Sequence, residues 1–191
     1  MSTALKEALT QFNPRKADEN TILSEFEKIA KVVFHGGYFL VNEDVRIYPV
    51  DIEFYLHGER KEDKGTWMQD PKMLHKGNKK KVPYFPNTGS FYPHLFGVDV
   101  TFENEEQEYR ASFLIRKYQY EKDGDVVDNP TYLWEDLFGY NTFSGSGLVI
   151  KWIDDPSKEQ TPDRNPRLNL KKEDGEPDPK KWRFTKAGFK K

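Results

Sequence analysis

Between Val50 and His57 apolar and polar residues alternate without a break, Val50, Ile52, Phe54 and Leu56 against Asp51, Glu53, Tyr55 and His57. A period of two belongs to a strand. It puts four apolar side chains on one face and a row of acid, acid, phenol and imidazole on the other. The row has two readings. It is either the wet face of an outer strand, as in many antiparallel sheets, or a rigid element that presents proton-transfer groups to a cleft. The flanking pattern predicts a hairpin or small meander, with strands over 38–41 and 45–57 around an Asn42-Glu43-Asp44 turn and a bulge or edge at Pro49.

Helical periods flank this unit. Leu5, Ala8, Leu9 and Phe12 form a short amphipathic stripe that Asn13-Pro14 stops, and Ile22, Phe26, Ile29, Ala30 and Val33 form a longer one that ends at Gly36-Gly37. Strands are expected over 98–102 and 109–118, joined by an acidic turn at Asn104-Glu105-Glu106, with Arg116 on the face opposite Phe113 and Ile115. A helix is expected over 131–138 and a last strand over 148–153. The stretch 58–93 is irregular and longer than ordinary connections, which points to function. Beyond Asp154 the composition reads as a disordered tail, interrupted by two islands, Asn165-Pro166-Arg167-Leu168-Asn169-Leu170 and Lys181-Trp182-Arg183-Phe184. The pattern is α+β.

With 191 residues, one domain is expected, burying about 70% of its unfolded surface. At 36% hydrophobic content its core must draw on 14 Phe, 10 Tyr and 4 Trp. There is no cysteine, hence no disulfide, thiol nucleophile or Cys-ligated zinc. Together with the absence of an apolar leader or an 18-residue apolar run, this gives the expectation of a soluble, cytoplasmic protein without membrane contact; a monomer is expected. A formal net charge of −2 argues against a protein that grips nucleic acid by its overall charge. Lys76, Lys79, Lys80 and Lys81 nevertheless form one basic cluster, and Lys180, Lys181, Arg183, Lys186, Lys190 and Lys191 form another.

Several chemistries drop out on spacing. His35, His57, His75 and His94 lack any paired-histidine metal motif, so no catalytic metal is expected. Gly145-Ser146-Gly147 is not a nucleophile elbow, and the run 139–147 has no Gly-Lys-Ser/Thr ending for a phosphate loop. What remains is a strand carboxylate, a loop histidine, loop aromatics and a strand arginine. Those parts suit water activation beside a stacked planar base.

The order of the blocks carries a resemblance. Ile52-Glu53-Phe54-Tyr55, Asp70-Pro71 with Leu74-His75-Lys76-Gly77, an aromatic stretch ending in Phe96-Gly97, Phe113-Leu114-Ile115-Arg116, and the two late islands occur in the order seen in the 3-methyladenine (alkyladenine) DNA glycosylases, from about Val45 to Phe184. The chain resembles a divergent member of that family. The resemblance implies a single α+β domain on a curved antiparallel sheet with flanking helices. Residues 1–19 would be an N-terminal helix and linker, 20–184 the glycosylase-like domain, and 185–191 a basic tail.

It also implies a monofunctional, cofactor-free N-glycosylase that flips a damaged purine out of duplex DNA and hydrolyses its glycosidic bond. By position Glu53 matches the water-activating glutamate, and Arg116 the arginine beside water and phosphate. Tyr55 and His75 match the residues flanking the flipped base. The wedging tyrosine is replaced by Phe96, with Tyr92 and His94 just upstream, and Asp99 stands nearest to the base-discriminating asparagine. Lys76, Lys79, Lys80, Lys81 and Arg167 are the expected nucleic-acid contacts. Asn129-Pro130-Thr131 replaces a Gly-Pro-Gly helix entry. Two alternatives stay open, a non-catalytic relative that binds nucleotide or nucleic acid and a hydrolase of small N-glycosides.

Overall fold

The computed structural model describes residues 3–14, 17–59, 66–68, 84, 87–94, 96–139, 147–168, 170, 175–176 and 178–189. The two N-terminal stripes form α1 (Ala4–Gln11) and α2 (Glu19–His35). Each starts at a side-chain cap, since Thr3 accepts from the Lys6 N–H and Asp18 from the Thr21 N–H. Leu5, Leu9, Ile22, Phe26, Ile29, Ala30 and Val33 are all buried. The glycine pair ends α2 for a different reason from the usual left-handed cap. Gly36 has φ −89° and its N–H returns to Val32 O at 2.7 Å. A Cβ on Gly37 would lie 1.9 Å from Ile153 O, so close strand approach is what demands glycine there.

The strands are β1 (Gly37–Val41), β2 (Val45–Glu59), β3 (Thr66–Met68), β4 (Ser90–His94), β5 (Gly97–Thr101), β6 (Tyr109–Gln119), β7 (Val126–Val127), β8 (Ile150–Asp154), β9 (Asp163–Asn165) and β10 (Arg183–Thr185). They make one antiparallel sheet in the order β4-β5-β6-β2-β1-β8. β3 and β10 also pair with β2, β7 pairs with β6, and β9 pairs with β10. The rings of Phe39 on β1 and Phe91 on β4 meet edge-to-face at 4.9 Å, although β5, β6 and β2 stand between those strands in the sheet. The sheet therefore curls into a half-barrel. β4 lies inside the stretch read as irregular. Its Pro93 denies the strand a ladder donor, which is tolerated because β4 is an edge.

A third helix, α3 (Pro130–Gly139), follows the Asn129-Pro130-Thr131 entry. Asn129 Oδ1 accepts from the Thr131 N–H, and proline sits at the first helical position, where it has no bond to lose. Among the described residues no helix is long and apolar enough to cross a membrane.

The apolar row of β2 is the centre of the core. Phe54 stacks on Phe26 of α2 at 4.3 Å and meets Phe102, Phe113 and Phe184 edge-to-face. Each fully buried aromatic contributes about 1.5–3 kcal/mol. Three of the four residues in the row opposite do not meet water either. Asp51, Glu53 and Tyr55 are 1%, 0% and 1% exposed, because the chain after β9 returns over that face before β10 pairs with β2. Trp182, one of the late islands, is buried against Phe26 and Arg167. Composition misleads here, since a few apolar anchors and ion pairs order a lysine- and aspartate-rich segment. Thr185 is in β10 and the Lys186 N–H donates to Val50 O.

Candidate functional site

A cross-strand row organises the polar face. Tyr92, Asp99, Leu114, Glu53 and Arg183 are successive register partners across β4, β5, β6, β2 and β10. Side chains directly opposite share a face, so residues far apart in sequence line up here. Around this row the register of β2 against β6 steps from Pro49↔Tyr118 to Asp51↔Lys117 to Ile52↔Ile115, leaving Val50 and Arg116 without opposite partners. A bulge at Arg116 re-aims its side chain along the face. The aim is at Glu53.

Glu53 accepts four hydrogen bonds. Tyr55 Oη donates to Oε1 at 2.5 Å, Arg116 Nη2 to Oε1 at 2.8 Å, Arg116 Nε to Oε2 at 3.0 Å, and the Leu168 N–H to Oε2 at 2.9 Å. A carboxylate offers about four lone-pair positions, and all are filled. Burial pushes the Tyr55 hydroxyl well above its usual range and the Glu53 charge adds to the shift, so Tyr55 stays a donor. Burial works against the Arg116 charge, but Tyr55 and Glu53 outweigh it and hold the guanidinium above its ordinary value. The result is a fixed ion pair in low dielectric, with the orientation of each partner determined.

A second cluster lies two strands away. His94 Nε2 is 3.2 Å from Asp99 Oδ1, Ser112 Oγ donates to Asp99 Oδ2 at 2.9 Å, and the Phe96 N–H donates to His94 Nδ1 at 3.2 Å. Tyr92 and His94 have ring centroids 5.9 Å apart, and His94 and Phe96 6.2 Å. Phe96 caps this file of rings and is 66% exposed, the most exposed large apolar side chain among the described residues.

Of the expected site residues, Glu53, Tyr55 and Arg116 are brought into direct contact, and Tyr92, His94, Phe96 and Asp99 gather at the neighbouring hairpin. His75, Lys76, Lys79, Lys80 and Lys81 lie outside the described residues. Arg167, expected to meet phosphate, is committed to the fold. It is 5% exposed, pairs with Asp178, donates to Phe54 O at 3.3 Å and lies over the rings of Trp182 and Tyr55. Three participants escaped the sequence reading. Ser112 and Asp178 carry no motif, and the Leu168 N–H is backbone, invisible in any side-chain pattern. Asp51 does carry a signal, its place in the polar row, and its partner is Arg183 (Nε 2.9 Å from Oδ1). Burial raises the Asp51 carboxyl while Arg183 opposes the shift.

Among the described residues no three of His, Asp and Glu gather to hold a metal ion. An open cavity of about 900 Å³ lies elsewhere, between the β1–β2 turn, the end of β6 and α3, and its lining of Asp44, Arg46, Tyr120, Glu121, Asp136 and others includes no residue of either cluster. No family model, curated protein or solved structure matches the chain.

Proposed function

We propose that this chain is a DNA base-excision N-glycosylase that hydrolyses the glycosidic bond of a damaged purine extruded from the duplex. The observation that carries this reading is the meeting of Glu53, Tyr55 and Arg116 on the sheet face beside a hairpin whose tip projects Phe96. A bulky apolar side chain at a hairpin tip is suited to enter a base step and take up the space of an extruded base. Tyr92, next in line, offers a π-face on which a planar base stacks.

In the chemical step water attacks C1′, the C1′–N bond breaks with its electron pair going to the base, and Glu53 takes the proton from water. An alkylated purine carries a positive charge and departs neutral, which removes the need for a separate acid. Arg116 orients the carboxylate and balances the charge. One of the four Glu53 acceptor positions must open for water. The donor to be displaced is the Leu168 N–H, because Leu168 belongs to the covering segment and is 39% exposed, whereas Tyr55 and Arg116 are held in strands.

The saturation of Glu53 favours a second reading, a scaffold that receives an extruded base or nucleotide without hydrolysing it. Incubation with duplexes carrying alkylated or deaminated purines, and with the matching free nucleosides, followed by chromatography for released base, separates the readings. Base released from duplex alone supports the glycosylase. Release from nucleosides alone points to a small N-glycoside hydrolase, and tight duplex binding without release to the scaffold.

A further inference from the structure

The tip of the β4–β5 hairpin is tied to the sheet through one histidine. An imidazole nitrogen that accepts a hydrogen bond carries no proton. Because the Phe96 N–H donates to Nδ1 of His94, the ring proton lies on Nε2 and is directed at Asp99 Oδ1, 3.2 Å away. Asp99 is 6% exposed, and its second oxygen accepts from Ser112, which is fully buried on β6. A single file of hydrogen bonds thus joins the backbone of an exposed aromatic to the interior of the sheet. The pair that closes the turn is sterically constrained as well. His94 pairs with Gly97, whose φ of +130° and close approach to Pro130 and Leu114 leave no room for a Cβ.

We propose that His94 is the positioning residue of the Phe96 wedge. As the neutral Nε2–H tautomer it fixes the backbone at Phe96, and so sets how large a fraction of target bases the wedge holds out of the stack. This rests on the reading that Phe96 enters the duplex. His94 takes no part in proton transfer, since both ring nitrogens are engaged in holding the turn. The side chain that does the holding is itself fixed by Asp99, which leaves little freedom to be lost when DNA binds.

Two substitutions divide the two ends of the imidazole. His94→Asn puts an oxygen where Nδ1 stands and keeps an acceptor for the N–H two residues on, as in an Asx-turn. His94→Gln keeps a donor at the place of Nε2 and loses that acceptor. The experiment uses the full chain with ¹⁵N-labelled histidine. It reads the His94 tautomer, the exchange rate of the Phe96 amide, and the fluorescence of 2-aminopurine in a duplex at saturating protein.

Expected are a neutral Nε2–H tautomer, Phe96 amide exchange about tenfold faster in His94→Gln than in the parent chain or His94→Asn, and a 2-aminopurine signal that falls in His94→Gln toward that of Phe96→Ala. If His94→Gln matches the parent chain in exchange and fluorescence while Phe96→Ala abolishes the signal, the wedge stands and the role of His94 is overturned. If Phe96→Ala leaves the signal unchanged, the wedge fails and the positioning role fails with it.

Discussion

Leu168 donates its backbone N–H to Oε2 of Glu53 over 2.9 Å, from 115 positions farther along the chain. With Tyr55 and Arg116 it completes a ring of donors around a carboxylate that has no exposed surface. Glu53→Gln is therefore not a silent replacement, because an amide NH₂ would face two of those donors and Arg116 would lose its counter-charge. The expected loss is about 3–5 kcal/mol of unfolding free energy, the range for breaking one side of a buried pair. Urea denaturation measures it as a lower midpoint at unchanged slope. A loss below about 1 kcal/mol would contradict the saturated geometry.

Tyr55→Phe removes one charge-assisted donor at 2.5 Å and leaves the other three in place. It is expected to cost about 1.5–3 kcal/mol, less than Glu53→Gln. The double variant should lose less than the sum, because both changes break the same bond. Strict additivity in thermal or urea melts would show that Tyr55 and Glu53 are not coupled.

Much of this arrangement was legible in the residue pattern, and the failures have physical causes. The alternation of β2 and the stripes of α1 and α2 come through because local spacing encodes them. What covers the polar row does not, since Leu168 and Arg183 reach Glu53 and Asp51 from more than a hundred positions away. Glu53, Tyr55 and Arg116 were picked out together only through a family resemblance, and nothing local announces that Arg116 sits at a bulge. β4 was missed because Ser90-Phe91-Tyr92-Pro93-His94 follows a run of turn residues and contains a proline. An edge strand accepts that proline, but the sequence does not say which strand is an edge.

Arg183 holds the returning segment to β2 through Asp51, with Thr185 adding a hydroxyl donor at 3.3 Å. Arg183→Met keeps most of the length and removes the charge, leaving the buried Asp51 without its guanidinium partner. The segment 163–189 is expected to loosen before the half-barrel does. Limited proteolysis under native conditions should cut the variant there at least about tenfold faster than the parent chain. Equal cutting rates would mean that the Arg183–Asp51 pair does not hold the segment.

His35 is expected to make the fold sensitive to mild acid. It is buried at the end of α2, and burial, with Lys186 adding to the effect, pushes its imidazole below the ordinary value of 6.5. A depressed histidine means that the unfolded chain binds the proton more readily, so stability is lost as pH falls through about 6.5 and below. His35→Gln should flatten the stability profile between about pH 5 and 7. Denaturation midpoints across that range decide it, and an unchanged slope would exclude His35 as the source.

The most direct measurement is the single-turnover release of a damaged purine from duplex DNA by the parent chain and by Glu53→Gln, below the melting temperature of both, with duplex binding followed in parallel. The parent chain is expected to release base and leave an abasic site, and the variant to bind the same duplex but release base at least about a hundredfold more slowly. Equal release rates in the two proteins, or a parent chain that binds the duplex and releases nothing, would contradict this expectation.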